Sequence, residues 1–212
     1  TGTISATQNF RTMSYSDGSK SISGGIVGYI GSSTSITDCY NSGAISATSI
    51  SYNTSYSGGI VGSTANYFTM NINNCYNTGT ISSSSLVRSM SGGIFGSVGS
   101  GSSKVTTLTK CHNSGTITAT AHTSSSSGSR ASYSGGLVGF NNNKLSITYS
   151  YNRGAVRAYS HYGSNNTADG TCVVGGLIGQ LNTNGTISNS YNTGNLTGTT
   201  KGGIKGSGGS VS

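Results

Sequence analysis

The chain has 212 residues, among them 35 Gly, 43 Ser, 28 Thr and 20 Asn, and apolar residues make up only 32%, against roughly 45–50% in ordinary globular domains. It lacks Pro, Trp and Glu, and its three acids, Asp17, Asp38 and Asp169, leave little carboxylate for general acid–base or hard-metal chemistry. Eleven Lys and Arg give a net charge of +8 but form no run, which argues against a nucleic-acid module, and no apolar stretch nears the ~20 residues a membrane-spanning helix needs.

The few apolar residues recur at fixed intervals, which a disordered chain of the same polarity has no reason to show. The chain opens Thr1-Gly2-Thr3-Ile4-Ser5, a phrase that returns as Thr78-Gly79-Thr80-Ile81-Ser82. The first full repeat starts at Gly24-Gly25-Ile26-Val27-Gly28, and the same unit returns near Gly58, Gly92, Gly135 and Gly175. A sixth copy at Gly202 carries Lys205 in place of its second apolar residue. Downstream of each Gly-Gly unit comes an aromatic-Asn-x-Gly unit, first at Tyr40-Asn41-Ser42-Gly43, then at Tyr76, His112, Tyr151 and Tyr191. Four residues before each aromatic stands Ile36, Ile72, Leu108, Ile147 or Ile187, and two after each closing Gly stands Ile45, Ile81, Ile117, Val156 or Leu196.

Segments such as Gly43-Ala44-Ile45-Ser46-Ala47 alternate as strands do, and Gly, Ser, Thr and Asn disfavour helix throughout. A unit this short cannot bury its own face, whereas stacked copies set Ile on Ile, Tyr on Tyr and Asn on Asn about 4.8 Å apart. The expected fold is all-β: one domain over residues 1–212, a parallel β-solenoid (β-helix) of five to six coils with one repeat of 34 to 43 residues per coil. One wide coil per repeat is preferred because the two half-repeat signatures differ and stack best on their own kind. The recurrent Gly is expected to supply positive φ and close approach at tight corners, and Asn41, Asn77, Asn113, Asn152 and Asn192 an amide ladder at the next corner. The polar stretches of variable length, Ser49 to Ser57 and Thr120 to Ser134, read as loops.

The Gly-Gly-Leu-Val-Gly phrase followed by Ile-x-x-Cys/Ser-Tyr-Asn-x-Gly-x-Val resembles the GLUG motif repeat over nearly the whole chain. That resemblance implies a bacterial surface or secreted protein of adhesin type, such repeats also occurring in IgA-specific peptidases. It brings an architectural element and no catalytic residues. Lys205 and His112 depart from the pattern.

Both ends fall within repeats, so the chain is expected to be a segment of a longer protein or to stack end to end with copies of itself into a homo-oligomer or filament. Cys39, Cys75 and Cys111 share one repeat position that Ser150 and Ser190 fill later; buried thiols are the main reading and a disulfide the alternative. No cofactor, metal site or enzymatic role is expected, since the acids lie in unrelated repeat positions and His112, His122 and His161 do not accompany the cysteines at ligand spacing. Tyr40, Tyr76, Tyr151 and Tyr191 read as a structural ladder. Tyr52, Tyr56, Tyr133, Arg157, Tyr159, His161 and Tyr162 are the candidate loop contacts. The expected function is an extracellular structural or adhesive repeat, secreted or at the cell surface, with a surface glycan or a neighbouring cell as partner. The alternatives are a ligand-binding solenoid for glycan or ice, and the spacer of a larger secreted enzyme. Ice is the weaker ligand, because Ala44, Ser46, Ala155 and Arg157 break the Thr array suggested by Thr116 and Thr118.

Overall fold

In a computed structural model, which describes residues 2, 4–8, 20–50, 53–123, 130–162, 167–168 and 170–212, the chain winds into a parallel β-solenoid. No helix occurs among the described residues. Each repeat makes one coil, with a run of strands named here by composition. The Ser sheet comes first: Ser21–Gly24, Thr54–Gly58, Arg88–Gly92, Ala131–Gly135, Thr171–Gly175 and Thr200–Gly202. The chain then turns at Gly-Gly into the long sheet, which includes Val61–Thr64, Met70–Asn73, Phe95–Thr109 and Val138–Thr148. A Tyr-Asn sheet of two-residue strands follows, and the coil closes through the Ile sheet: Ile4–Gln8, Ile45–Ser49, Ile81–Ser85, Ile117–Thr123, Val156–Tyr162 and Leu196–Thr197.

Like stacks on like. Ile45 pairs with Ile4 below it and Ile81 above it, and the column runs on through Ile117, Val156 and Leu196. Ile36, Ile72, Leu108, Ile147 and Ile187 form a second column. These ladders agree with one coil per repeat and roughly with five to six coils. Length differences between repeats are absorbed inside the long sheet as well as in loops, for the pairing of Phe95–Thr109 with Val138–Thr148 slips in register twice between Val98 and Val105.

The Gly-Gly corner has a specific geometry. The consecutive amides of Ile60 and Val61 both donate to the carbonyl of Ile94 in the next coil, at 3.2 and 2.9 Å, and those of Ile94 and Phe95 both donate to Leu137. The corner keeps one-to-one register between coils, Gly58 facing Gly92 and Val61 facing Phe95. It lets two successive side chains enter the core, so Ile60, Val61, Ile94, Phe95, Leu137 and Val138 are all buried. The glycines answer to close approach. A Cβ on Gly59 would stand 2.2 Å from the Gly93 carbonyl oxygen and 2.7 Å from Asn77 Cβ across the coil. The two signature phrases of the repeat are therefore in contact, with Asn77 seated on Gly59 and Asn113 on Gly93.

Positive φ lies elsewhere than expected. Among the described glycines only Gly170 and Gly208 have it, whereas Asp38, Asn74, Lys110, Tyr149 and Asn189, two residues before each aromatic, lie at φ between 49° and 55°. The turn into the Tyr-Asn sheet needs left-handed backbone but has open space for a side chain. The Gly-Gly corner has the opposite need.

The core falls into two parts. One apolar cluster fills the space inside the long sheet, from Ile36 and Ile60 to Leu177 and Leu181. A smaller one joins Ile45, Ile81, Ile117 and Val156 to Cys172 and Val174. Beyond it the Ser and Ile sheets close on each other through small residues. Ser57 Oγ donates to the Ser82 carbonyl at 2.5 Å, Ser91 to Thr118 at 2.7 Å and Ser134 to Arg157 at 2.6 Å. Ser83 Oγ lies 2.6 Å from Ser89 Oγ and 2.7 Å from Ser91 Oγ. These buried hydroxyls thus find partners across the coil, as burial requires, whereas that of Ser85 has none.

Candidate functional site

The most ordered surface feature is the edge formed by the Tyr-Asn sheet and the left-handed turn before it. Behind the surface, Asn41 Nδ2 donates to Asn77 Oδ1, Asn77 to Asn113, Asn113 to Asn152 and Asn152 to Asn192, each at 2.7 Å. Each Nδ2 also donates to the glycine carbonyl two residues on, as Asn113 does to Gly115 at 2.8 Å. Every amide in the expected ladder therefore serves its own turn and a neighbouring coil.

In front of the amides the aromatic residues stack. Successive ring centroids from Tyr40 through Tyr76, His112 and Tyr151 to Tyr191 are 5.2, 4.7, 4.8 and 5.2 Å apart, with planes within 9° of parallel. The stack is at the surface, Tyr40 being 57% exposed. Because the ring faces cover one another, the stack presents edges and hydroxyls to solvent. It has no free row of faces on which sugar rings or bases could lie. His112 fits as a neutral ring, since burial and then the Arg153 charge lower its pKa. The exposed Arg153 guanidinium lies 4.9 Å from the Tyr151 centroid and donates to the Tyr191 hydroxyl at 3.2 Å.

Asp38, Asn74, Lys110, Tyr149 and Asn189 form the neighbouring row, linked coil to coil by backbone bonds such as Lys110 N–H to the Thr148 carbonyl at 3.0 Å. Asp and Asn tolerate left-handed backbone, whereas Lys and Tyr hold it at a cost of about 1–2 kcal/mol. Tyr149 is nevertheless 61% exposed. Sequence reasoning missed this row, although the Asp or Asn at three of its five positions was the available signal.

The candidate contacts are placed differently from expectation. Tyr56 and Tyr133 lie in Ser-sheet strands, half-buried in one column with Ile22, Met90 and Val173. Burial pushes the Tyr56 phenol pKa up, and Tyr133 packs against Phe140 at 5.2 Å. Arg157, Tyr159 and His161 alternate along one face of the Ile-sheet strand that ends at Tyr162. They are strand residues because the Ile117–Thr123 and Val156–Tyr162 pairing extends beyond the apolar positions. His161 stacks on His122 at 5.3 Å and on Tyr159 at 5.9 Å. Tyr52 lies outside the described residues.

All four cysteines are free thiols. Cys75 Sγ donates to the Asn73 carbonyl at 3.2 Å and Cys111 Sγ to that of Thr109 at 3.4 Å. Ser150 Oγ makes the equivalent bond to Thr148 at 2.8 Å, which is why Ser and Cys interchange at this position. Burial pushes the Cys111 pKa up to about 12, so it is a poor nucleophile. Among the described residues no group of three or more His, Cys, Asp or Glu is placed to hold a metal ion. Asp38 accepts a bond from Asn74 Nδ2 at 2.6 Å, a turn role; Asp17 and Asp169 lie outside the described residues. Thr107 and Thr109 of the long sheet pair with Asn71 and Asn73 on one side and Ser146 and Thr148 on the other, a mixed polar row.

No family model matches the chain, and neither a curated protein nor a solved structure is similar to it.

Proposed function

We propose that the chain is a structural and adhesive β-solenoid of a secreted or cell-surface protein, in which the stacked coils form a stiff rod and the outward rows make contacts. The observation that carries this reading is the edge itself. A buried amide ladder and a ring stack repeat in register from coil to coil and hold a fixed row of side chains at the surface. Such a rigid display costs little ordering entropy on binding. The resemblance to the GLUG repeat points the same way.

Ile26 is 46% exposed where its counterpart Ile60 is fully buried. An apolar side chain exposed at a strand edge is a place where a second copy of the chain could add in register. The test joins electron microscopy of the purified chain with adhesion of particles coated with it to cells and extracellular matrix. Rods or filaments together with specific adhesion support the reading. Globular particles that adhere no better than uncoated ones remove it.

A further inference from the structure

The turn-and-ring edge is chemically uneven along the stack. In the first two coils its turn residues are Asp38 and Asn74, bonded to each other. In the next two they are Lys110 and Tyr149, the two residues least suited to left-handed backbone. Beside them Arg153 is already oriented, its guanidinium resting over Tyr151 and using one donor on Tyr191. Arg157, on the same coil, is exposed as well. Asp38 is the only acid among the described residues, so these cations face no carboxylate there. Backbone strain held beside uncompensated, pre-oriented charge is the pattern of a binding surface.

We propose that the edge formed by Lys110, Tyr149, Tyr151, Arg153 and Tyr191 binds an acidic polysaccharide, its carboxylate or sulfate groups pairing with Lys110 and Arg153. The proposal rests on the adhesive reading and names the ligand for it. Charge complementarity selects an anion. The sparse cations suit a chain whose charges are separated by neutral ring atoms better than DNA, with a charge every ~1.7 Å along its axis. The faces of the Tyr151 ring are taken up by stacking and Tyr149 offers a single exposed ring, not the row of platforms single-stranded nucleic acids use. Exposed Ser114 and Thr193, together with the tyrosine hydroxyls, supply donors and acceptors for sugar hydroxyls.

The test is titration of the whole chain with dextran sulfate, polygalacturonate, uncharged dextran and an oligothymidylate. The variants are Lys110→Asn with Tyr149→Asn together, and Arg153→Gln alone. Asn already occupies the turn position in other coils, so the double variant should melt no lower than the parent chain while binding an acidic glycan at least tenfold more weakly. Arg153→Gln, at an exposed side chain, should weaken binding comparably. Unchanged binding by either variant overturns the assignment, as does oligothymidylate binding as tight as that of the acidic glycans, which would mark diffuse attraction to the net charge. If no acidic glycan binds while coated particles still adhere, the inference falls and the adhesive reading stands; loss of both removes both.

Discussion

Asn113 shows how much one side chain does in a stacked fold. It receives a hydrogen bond from Asn77, donates to Asn152 and to the Gly115 carbonyl, and accepts from the Gly115 amide, all while fully buried. Asn113→Ala strands several of these groups at about 1–3 kcal/mol each, so its thermal midpoint should fall by many degrees. Cys111→Ser, two residues away, repeats what Ser150 does and should leave the midpoint within a few degrees; equal losses would contradict these roles. His112 adds a pH dependence. Its folded pKa lies below the ordinary value of about 6.5 because of burial and then Arg153, so between the two values the unfolded chain binds more protons. Stability is therefore complete above about pH 6.5 and declines as pH falls toward the folded pKa. His112→Tyr should flatten this slope in melts between pH 7.5 and 5. A residual slope should persist from His122, whose pKa is lowered by burial and then by the His161 charge.

Strands and turns here hold one another in place more than any one holds itself. The Gly-Gly corner turns two consecutive apolar residues inward, and the left-handed turn aims one short strand so that Asn faces in and Tyr faces out. Ile147 is the clearest test of the packing between elements, fully buried and paired with Leu108 on one side and Ile187 on the other. Ile147→Ala should cost about 2–5 kcal/mol through the cavity it leaves. Ile147→Asp buries an unpaired charge and should abolish cooperative melting followed by circular dichroism. A cooperative melt for the Asp variant close to that of the parent would show that this column is not core. Gly79 tests the turn: a Cβ there would stand 2.0 Å from the Gly43 carbonyl oxygen, so Gly79→Ala should lower the melting temperature, although the same change at an unconstrained position stabilises a chain by about 0.4–1 kcal/mol.

For the whole molecule, stability is distributed along one axis. Each coil touches only its neighbours, so interior coils are supported on two sides and outer coils on one. Hydrogen exchange should be slowest in Ile81–Ser85 and Ile117–Thr123 and fastest in Ile4–Gln8 and Lys205–Gly208. The thiols report the same gradient. Half-buried Cys39 should be alkylated well before Cys75 and Cys111 in native buffer, with all reacting in denaturant. Uniform exchange and uniform alkylation would mean that the coils open together. Lys205 occupies the register position of Ile178 and donates to the carbonyls of Gly208 and Gly209 at 2.6 and 2.5 Å. A charge therefore stands where the next apolar column member would be, a common protection of a sheet edge.

The ladders were legible in the amino-acid sequence because each residue's main neighbour is its counterpart one repeat away: Ile45 announces Ile81, Asn77 announces Asn113, and the difference between the two half-repeat signatures favours one coil per repeat. What crosses the coil carries no such period. That Ser57 bonds Ser82, that Asn77 needs a glycine at 59, that Tyr56 and Tyr133 lie in strands and that the ring stack shows its edges all depend on which wall faces which. Only the closed coil decided those pairings. The left-handed row of Asp38, Asn74, Lys110, Tyr149 and Asn189 falls between the two cases, periodic in position but variable in residue. Its backbone is dictated by the turn, while its side chains point outward and are free to differ from coil to coil.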